Sequence, residues 1–267
     1  MSDNTAIEIS DASGAAAIEQ ITRGEIDAQV ATAKRYPRDI RQAKADMEEL
    51  ATLDEETAQS MFYSLPRGGK SIQGPSVRMA EVAIACYGNI RAGARVINVD
   101  TDACVVTVQG VVHDLQKNIA VTVEKRRRIL KKRGAIKPDE DMIMLACNAA
   151  ASIAFRDATF KVIPLALVKP IYERAMKVAV GDLKSLTAKR DQILTALKKY
   201  GAEEANILAV IDRKAVDEIT LEDLQTLIGL GTALKSGEIT LEDAFPDPKH
   251  RPVKAEIGDE ASTQEEA

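Results

Sequence analysis

Cysteine and histidine are scarce in this chain, and their scarcity excludes two kinds of site. The three cysteines, Cys86, Cys104 and Cys147, lie far apart in a chain of 267 residues, and none belongs to a Cys-x-x-Cys pair. Only His113 and His250 could join them in holding a metal. Neither a zinc site nor a disulfide framework is supported, and this cysteine usage fits a reducing cytosol. We therefore expect no metal and no other cofactor.

Aromatic residues make up only 3% of the chain, and tryptophan is absent. A row of stacking rings, which contributes about 1–3 kcal/mol per base in many single-strand-binding proteins, is therefore not expected. Long apolar stretches are missing too: no run approaches the ~18 residues of a membrane span, and the N-terminus shows no secretory leader. These absences predict a soluble, cytoplasmic protein.

Charge is distributed unevenly behind a formal net charge of −5. Residues 1–19 carry four acidic residues and no basic one, residues 20–180 carry 25 basic against 19 acidic residues, and residues 181–267 carry 11 against 18. A basic middle between acidic ends predicts a polyanion-binding core whose ends repel polyanions or recruit other proteins. A solvated surface of uneven charge, with no polyanionic partner, is the alternative explanation of this asymmetry.

The densest basic run lies within VEKRRRILKKRG, in the middle of the chain. Seven of nine consecutive residues from position 125 are basic: Lys125, Arg126, Arg127, Arg128, Lys131, Lys132 and Arg133. These charges repel one another, so a polyanionic partner helps to explain them. A solvated strand end or hairpin tip is the alternative.

A helix is predicted over the following segment, DEDMIMLACNAAASIAFRDATFK. An apolar stripe recurs at three- to four-residue spacing and consists of Met142, Leu145, Ala146, Ala149, Ile153 and Phe160. Asn148, Ser152 and Arg156 are spaced i, i+4, i+8 and form a polar ridge on an adjacent face. The ridge beside the basic run predicts a cradle for a polyanion, with polar packing against a sheet as the alternative.

Three runs rich in Val, Ile and Thr predict an antiparallel β-meander, and the fold class is therefore α+β. The runs are NIRAGARVINV, ACVVTVQGVVHDL and NIAVTVEKRR, with turns at 100–102 and 116–118. On the outer strands, Arg91 and Arg95 share one parity, as do Lys125 and Arg127, so each pair is expected to face one side of the sheet.

Helices are predicted on both sides of the meander. Periodicity begins near Glu25, breaks at Pro37 and resumes with Ile40, Ala43, Met47 and Leu50 on one face. Helix N-caps are expected at Asp54, Ser76, Thr220 and Thr240. These patterns predict a division of the chain into four segments: a disordered arm over 1–24, a core over 25–181, a small all-helical module over 182–246 and an acidic, disordered tail over 247–267.

The glycine- and proline-rich stretch LPRGGKSIQGP, residues 65–75, predicts an irregular loop. It does not match the nucleotide-binding P-loop, because Ser64 stands where that motif needs glycine and a helix is expected before the loop. Arg67 and Lys70 on this flexible backbone still suit contact with phosphates, and a plain surface turn is the alternative.

The parts of a catalytic site are missing from the sequence. His113 lies within a predicted strand and is expected to be structural. Asp114, Glu124 and Lys125 are pieces of a metal-dependent nuclease site, but their spacing matches no nuclease motif. No catalytic residue is predicted, and the protein is not expected to be an enzyme.

Several longer phrases, spread over most of residues 30–245, point to one family. They are LPRGGKSIQGPSVRMAEVA followed by YGNIRAGARVI, the meander ending at VEKRRR, the helix NAAASIAFRDATFKVIP, and EITLEDLQTLIGLGTALKSGEITLEDAFP. In this combination the chain resembles the phage-type single-strand annealing proteins of the RecT/Redβ group, which act in homologous recombination. The resemblance implies an α+β core that binds single-stranded DNA and anneals complementary strands without ATP, as a ring or helical filament, in the cytoplasm of a bacterial host cell.

The resemblance also implies a DNA-binding groove and protein partners. Together with the basic run, the groove is expected to comprise Arg67, Lys70, Arg78, Arg91, Arg95, Lys125, Arg126, Arg127, Arg128, Lys131, Lys132, Arg133, Asn148, Ser152, Arg156 and Lys161. Residues 182–246 are expected to contact a partner exonuclease and the host single-strand-binding protein. The alternatives are a single-stranded nucleic-acid-binding protein that does not anneal, a metal-dependent nuclease and a purely structural oligomer.

Overall fold

A computed structural model describes residues 11–67, 70–130 and 136–247, and within them the chain forms ten α-helices and two antiparallel sheets. The helices are α1 (Asp11–Arg35), α2 (Ile40–Ala51), α3 (Glu55–Ser60), α4 (Val77–Tyr87), α5 (Glu140–Val162), α6 (Leu165–Val180), α7 (Leu186–Lys199), α8 (Glu204–Val210), α9 (Leu221–Lys235) and α10 (Leu241–Ala244). The strands are β1 (Phe62–Arg67), β2 (Lys70–Pro75), β3 (Ile90–Asp100), β4 (Val105–Asp114) and β5 (Ile119–Arg128). The predicted α+β class and its three-stranded meander are confirmed.

The chain divides into two compact units, and neither is one continuous segment. The first unit comprises Met1–Leu50 and Ala80–Ile171, and the second comprises Ala51–Met79 and Tyr172–Ala267. This division differs from the predicted core over 25–181 and module over 182–246, because residues 51–79 fold with the C-terminal helices. The predicted acidic tail lies outside the described residues, apart from position 247.

In the first unit, β3, β4 and β5 form a meander in that order. The turn after β3 is closed by Asp100, whose Oδ1 accepts hydrogen bonds from the backbone N–H groups two and three residues later, at 3.1 and 2.7 Å. Asp114 closes the turn after β4 in the same way, at 3.0 Å for both bonds. Aspartate favours turns because its side chain bonds the local backbone, and both turns lie where they are predicted.

Helix α5 packs on one face of this sheet through small residues. Val106, Val108 and Val112 alternate along β4 and are fully buried. A Cβ atom at Gly110, also on β4, would lie 2.3 Å from the backbone oxygen of Ala154. The helix meets the sheet with residues spaced four apart: Ala146, Ala150, Ala154 and Ala158. The valines therefore supply the buried apolar area, and the alanines with Gly110 allow the close approach.

The apolar stripe predicted for α5 is partly wrong. Ala146 and Ala149 are buried, but Leu145 is 49% exposed. Ile143 and Cys147, which were not assigned to the stripe, pack against the buried cluster instead. Because alanines fill the close contact with β4, the buried side of this helix is not the side with the largest apolar residues.

The N-terminal segment is helical where disorder is predicted. Helix α1 begins at Asp11, so the predicted disordered arm is wrong for residues 11–24, and residues 1–10 lie outside the described ranges. Alanine is the strongest helix former, and residues 15–17 are all alanine. In α2, Ala43 and Met47 are buried as predicted, whereas Ile40 and Leu50 are exposed.

A buried ion pair fastens the corner between α1 and α2 to the end of the sheet. The guanidinium of Arg38 donates from Nη1 and Nη2 to the two carboxylate oxygens of Asp114, at 2.7 and 2.5 Å, and both side chains are 5% exposed. The same guanidinium lies over the ring of Tyr87, 4.1 Å from its centroid. Oε1 of Gln116 accepts from the N–H of Arg38 and from the amide of Asn89, at 3.0 and 3.3 Å.

In the second unit, residues 62–75 form a β-hairpin where an irregular loop is predicted. Strands β1 and β2 pair antiparallel, from Phe62 opposite Pro75 to Arg67 opposite Lys70, and residues 68–69 between them are not described. A Gly-Gly pair between two short strands is itself a hairpin signal, which the nearby prolines obscure in the sequence. The Gly-Gly pair joins two antiparallel strands, whereas the glycines of a P-loop lie between a strand and a helix, so this segment does not have the P-loop arrangement.

Helix α9 packs directly on β1. A Cβ atom at Gly229 would lie 2.6 Å from Cβ of Ser64. Thr232 donates from Oγ1 to the carbonyl oxygen of Gln59 at 2.9 Å, and the amide of Gln225 donates to Oε1 of Gln73 at 2.7 Å. These contacts join the C-terminal helices to residues 51–79.

The predicted helix boundaries are largely confirmed. Side chains accept first-turn N–H groups at all four predicted N-caps: Asp54, Ser76, Thr220 and Thr240. Pro170 lies inside α6, and that helix ends before Gly181, which has a left-handed φ of 76°. Local capping chemistry therefore fixes these boundaries without help from distant contacts.

Candidate nucleic-acid interface

Strand register divides the predicted DNA-binding residues of the sheet between its two faces. Directly paired residues project to the same face, and alternate residues along a strand project to opposite faces. Four arginines pair with β4 residues that alternate away from α5: Arg91 with His113, Arg95 with Gln109, Arg126 with Thr107 and Arg128 with Val105. We call the face away from α5 the outer face, and these four the outer-face arginines.

Lys125 and Arg127 lie on the opposite face of the sheet. They pair with Val108 and Val106, which are fully buried on the side of α5. Each predicted pair of strand cations does share one face, but the two pairs lie on opposite faces. The prediction that both pairs line one groove is therefore wrong. Residue parity shows which residues of one strand share a face, but only the register between strands shows which residues of the next strand share that face.

The outer-face arginines are all exposed, and within the described ranges no ion pair joins any of them to a carboxylate. Arg95 donates from Nε and Nη2 to Oε1 of Gln109 at 3.1 and 2.7 Å, which fixes the direction of its guanidinium. Arg91 approaches Oε1 of Gln29 at 3.5 Å. Both partners are neutral, so the positive charge of the outer face is not compensated by these bonds.

The outer-face arginines follow a diagonal across the sheet. Their partners along β4 run in the order His113, Gln109, Thr107 and Val105, so the arginines on β3 precede those on β5 from one end of the sheet to the other. With about 3.3 Å per residue and about 4.8 Å between strands, this arginine diagonal extends about 26 Å along the strands and about 10 Å across them. A row of positive charges at intervals along this diagonal suits an extended polyanion.

The α5 side of the sheet offers less free charge. Nζ of Lys125 lies 2.6 Å from Oδ2 of Asp157. Arg156 is 7% exposed, and its Nε lies 3.4 Å from the other carboxylate oxygen of Asp157. Asp157 therefore compensates positive charge on this side of the sheet, and Arg156 is buried where a surface contact with phosphate is predicted.

The predicted polar ridge of α5 is not a uniform surface. Asn148 is exposed and Ser152 is half-buried, with its hydroxyl donating to the carbonyl oxygen of Asn148 at 3.0 Å. Arg156, the third member, is buried. For Arg156 the alternative of polar packing describes the structure better than a nucleic-acid contact.

The other predicted DNA-binding residues are divided between the two units. Lys161 is exposed in the last turn of α5, where the helix dipole favours a cation. Arg67 and Lys70 lie opposite each other in the second unit, at the end of the hairpin where residues 68–69 connect its strands, and Arg78 in that unit is exposed. Three of the predicted residues lie outside the described ranges: Lys131, Lys132 and Arg133.

Three residues outside the predicted DNA-binding set shape the two faces. Gln109 positions Arg95, and Asp157 pairs with Lys125. Glu124 pairs with Gln109 and therefore projects from the outer face beside the arginine diagonal. The parity of Gln109 and Glu124 is visible in the sequence, but the register that places them opposite each other is not.

Comparison of the chain with protein-family models, with curated proteins and with solved structures finds no match. None of the described helices combines the length and the apolar composition that a membrane span requires. The described residues contain no group of three or more His, Cys, Asp and Glu side chains that could hold a metal ion.

Proposed function

We propose that this protein binds single-stranded DNA and anneals complementary strands without ATP, acting as a homo-oligomer in phage-type homologous recombination. The observation that supports it most is the arginine diagonal: four exposed guanidinium groups on one sheet face, free of carboxylate ion pairs within the described ranges. The family resemblance of the sequence supports the annealing step.

Arginine suits this task because its planar fork donates two parallel hydrogen bonds to phosphate oxygens. Gln109 holds the guanidinium of Arg95 in one direction before DNA arrives, which lowers the entropy lost on binding. Contacts of this kind fix the position of a strand but carry no sequence information, so binding has little sequence preference.

The bases of a bound strand remain available for pairing. The outward positions of β3, β4 and β5 carry no Phe, Tyr or Trp, and His113 is the single ring among them, so the outer face has no row of rings on which successive bases stack. A strand held by its phosphates is extended and partly neutralised, which reduces its repulsion of a complementary strand. Pairing between the two strands then supplies the specificity, and neighbouring copies of the protein extend the track.

The first test compares two double substitutions on the same strand. Arg126→Ala with Arg128→Ala removes two outer-face charges, whereas Lys125→Ala with Arg127→Ala removes two charges from the α5 side. For the outer-face variant we expect weaker binding to an oligonucleotide. The negative slope of log affinity against log salt should also become shallower by about 1.4, because each phosphate contact on a single strand contributes about 0.7 to its magnitude.

The α5-side variant is the matched control for charge and strand position. It should retain more of the affinity and of the salt slope, and thermal melting checks that both variants are folded. If the α5-side variant loses the slope and the outer-face variant keeps it, the arginine diagonal is not the DNA-binding surface.

Annealing is tested with two complementary oligonucleotides, each labelled at one end with a fluorophore of a transfer pair. The protein should accelerate the rise in energy transfer without ATP. Binding without acceleration would instead show a single-strand-binding protein that does not anneal. Shortened oligonucleotides after incubation with Mg²⁺ would show a nuclease.

Residues 182–246 are proposed to contact a partner exonuclease and the host single-strand-binding protein. A shallow, open depression of about 540 Å³ along α7 is one surface where such a contact can be tested. Its lining combines polar and apolar side chains from α7 and the residue that follows it: Asp191, Gln192, Thr195, Ala196, Lys199 and Tyr200.

A further inference from the structure

The outer face of the sheet carries two carboxylates as well as its arginines. Asp100 pairs with Val105 at the end of β3, and its Oδ1 is engaged in closing the following turn. Glu124 is exposed on β5, and its side chain forms no hydrogen bond or ion pair within the described ranges. A free carboxylate on a face that binds phosphates weakens that binding, so the position of Glu124 needs a functional reason.

The two carboxylates lie on opposite sides of the arginine diagonal. Glu124 pairs with Gln109, which pairs on its other side with Arg95. At the usual strand spacing, Glu124 is therefore about 10 Å from Arg95 across the sheet and about 7 Å from Arg126 along β5. Asp100 occupies the opposite corner, on β3. The line of positive charge is thus bounded by negative charge on both sides.

Charge density alone would make the arginine diagonal prefer the wrong ligand. Duplex DNA carries one charge per about 1.7 Å of its axis, twice the density of one of its strands. An annealing surface without a repulsive element would hold its duplex product more tightly than its substrate. Two ligands of the same charge sign can be discriminated by better contacts to one of them or by a feature that penalises the other, and a like charge beside the binding track is such a feature.

We propose that Glu124 makes the outer face selective for a single phosphate chain over duplex DNA, an inference that rests on the proposed function. The second chain of a duplex lies across a minor groove about 6 Å wide or a major groove about 12 Å wide. When the first chain follows the arginine diagonal, a chain displaced sideways by these distances passes over the zone that Glu124 or Asp100 occupies. Glu124 therefore repels a duplex more than a single strand and favours release of the annealed product.

The test is the Glu124→Gln variant, which removes the charge and keeps the shape of the side chain. Dissociation constants are measured for a labelled single strand and for the matching duplex, in about 50 mM and 500 mM salt. At the lower salt we expect the ratio of duplex to single-strand dissociation constants to fall about two- to fivefold, which is the effect of removing one like charge at about 10 Å near a protein surface. At the higher salt the ratio should change little, because charges are screened within about 4 Å.

The control is Glu49→Gln, which makes the same charge change at an exposed glutamate of α2 whose side chain forms no hydrogen bond or ion pair within the described ranges. It should leave the preference unchanged. If Glu124→Gln strengthens the binding of both ligands equally, or changes the binding of neither, Glu124 does not discriminate between single strand and duplex and the inference is overturned. If the wild-type protein shows no salt-sensitive binding to single strands, the proposed function itself fails.

Discussion

Asp114 illustrates how one residue can perform two structural tasks in this protein. Its carboxylate closes the turn after β4 and holds the buried guanidinium of Arg38. Burial alone would raise the pKa of Asp114, but the hydrogen bonds from Arg38 and from the backbone of Lys117 and Gln116 outweigh it, and the pKa lies below its ordinary value. The charged form is therefore stabilised by folding.

The lowered pKa of Asp114 predicts a loss of stability in acid. The ion pair contributes fully above the ordinary carboxyl pKa of about 3.9, and its contribution decreases as the pH falls from there through the lower pKa of the folded state. Asp114→Asn should lower the free energy of unfolding at pH 7 by about 3–5 kcal/mol, because it leaves the charge of Arg38 buried and unpaired. Urea denaturation at several pH values should show that the difference in the free energy of unfolding between the variant and the wild-type protein decreases below pH 4. A difference that persists unchanged at pH 2 contradicts the assignment.

Sequence patterns identify single residues of the outer face but not their grouping. The parity of Arg91 with Arg95 is readable from the chain, as is that of Arg126 with Arg128. Whether the two pairs meet depends on the β4 register, which the sequence does not specify to one residue, and a slip of one residue exchanges the faces.

At the scale of elements, the contact between α5 and β4 positions the whole meander. The helix carries only alanines at its closest approach, and β4 has no side chain at Gly110 to separate them. Because interiors are closely packed, even one methyl group added there has no space. The second unit repeats the arrangement, with Gly229 of α9 against Ser64 of β1.

Gly110→Ala should therefore be strongly destabilising. Its Cβ atom would lie 2.3 Å from a backbone oxygen of α5, which cannot move without displacing the helix. We expect a loss of about 3 kcal/mol or more in the free energy of unfolding, at or above the upper end of ordinary overpacking. Thermal or urea denaturation measures it.

Gly93→Ala on the neighbouring strand β3 is the matched control. A Cβ atom at that position meets nothing within 4 Å, so the substitution should be neutral or slightly stabilising through the unfolded chain. Equal losses for both variants would show that strand glycines, and not the helix contact, determine the effect.

At the scale of the whole molecule, two units are built from interrupted segments. Residues 51–79 lie before the meander in sequence but fold with the C-terminal helices. Thr232 bonds the backbone of Gln59, and Lys189, which is buried, contacts the carboxylate of Glu55. A boundary drawn from local sequence near Gly181 therefore separates segments that belong together.

A fragment over residues 172–247 should consequently fail to fold alone. Without 51–79, the buried face of α9 with Leu224, Leu227 and Leu230 loses the strand on which it packs. Far-ultraviolet circular dichroism should show reduced helicity and a broad melting transition. Adding 51–79 through a flexible linker should restore a cooperative transition, and an isolated fragment that melts cooperatively would contradict this division.

The sequence by itself determined the elements of this protein: the meander, its two aspartate turns, the four helix caps and the density of positive charge on β5. These features depend on neighbours within a few residues, so local propensity and hydrogen bonding suffice to specify them. Only the tertiary structure decided which cations share a surface, that Arg156 is buried and that residues 62–75 join the C-terminal helices. Those outcomes depend on strand register and on contacts between distant segments, where close packing selects one arrangement among several that the local pattern permits.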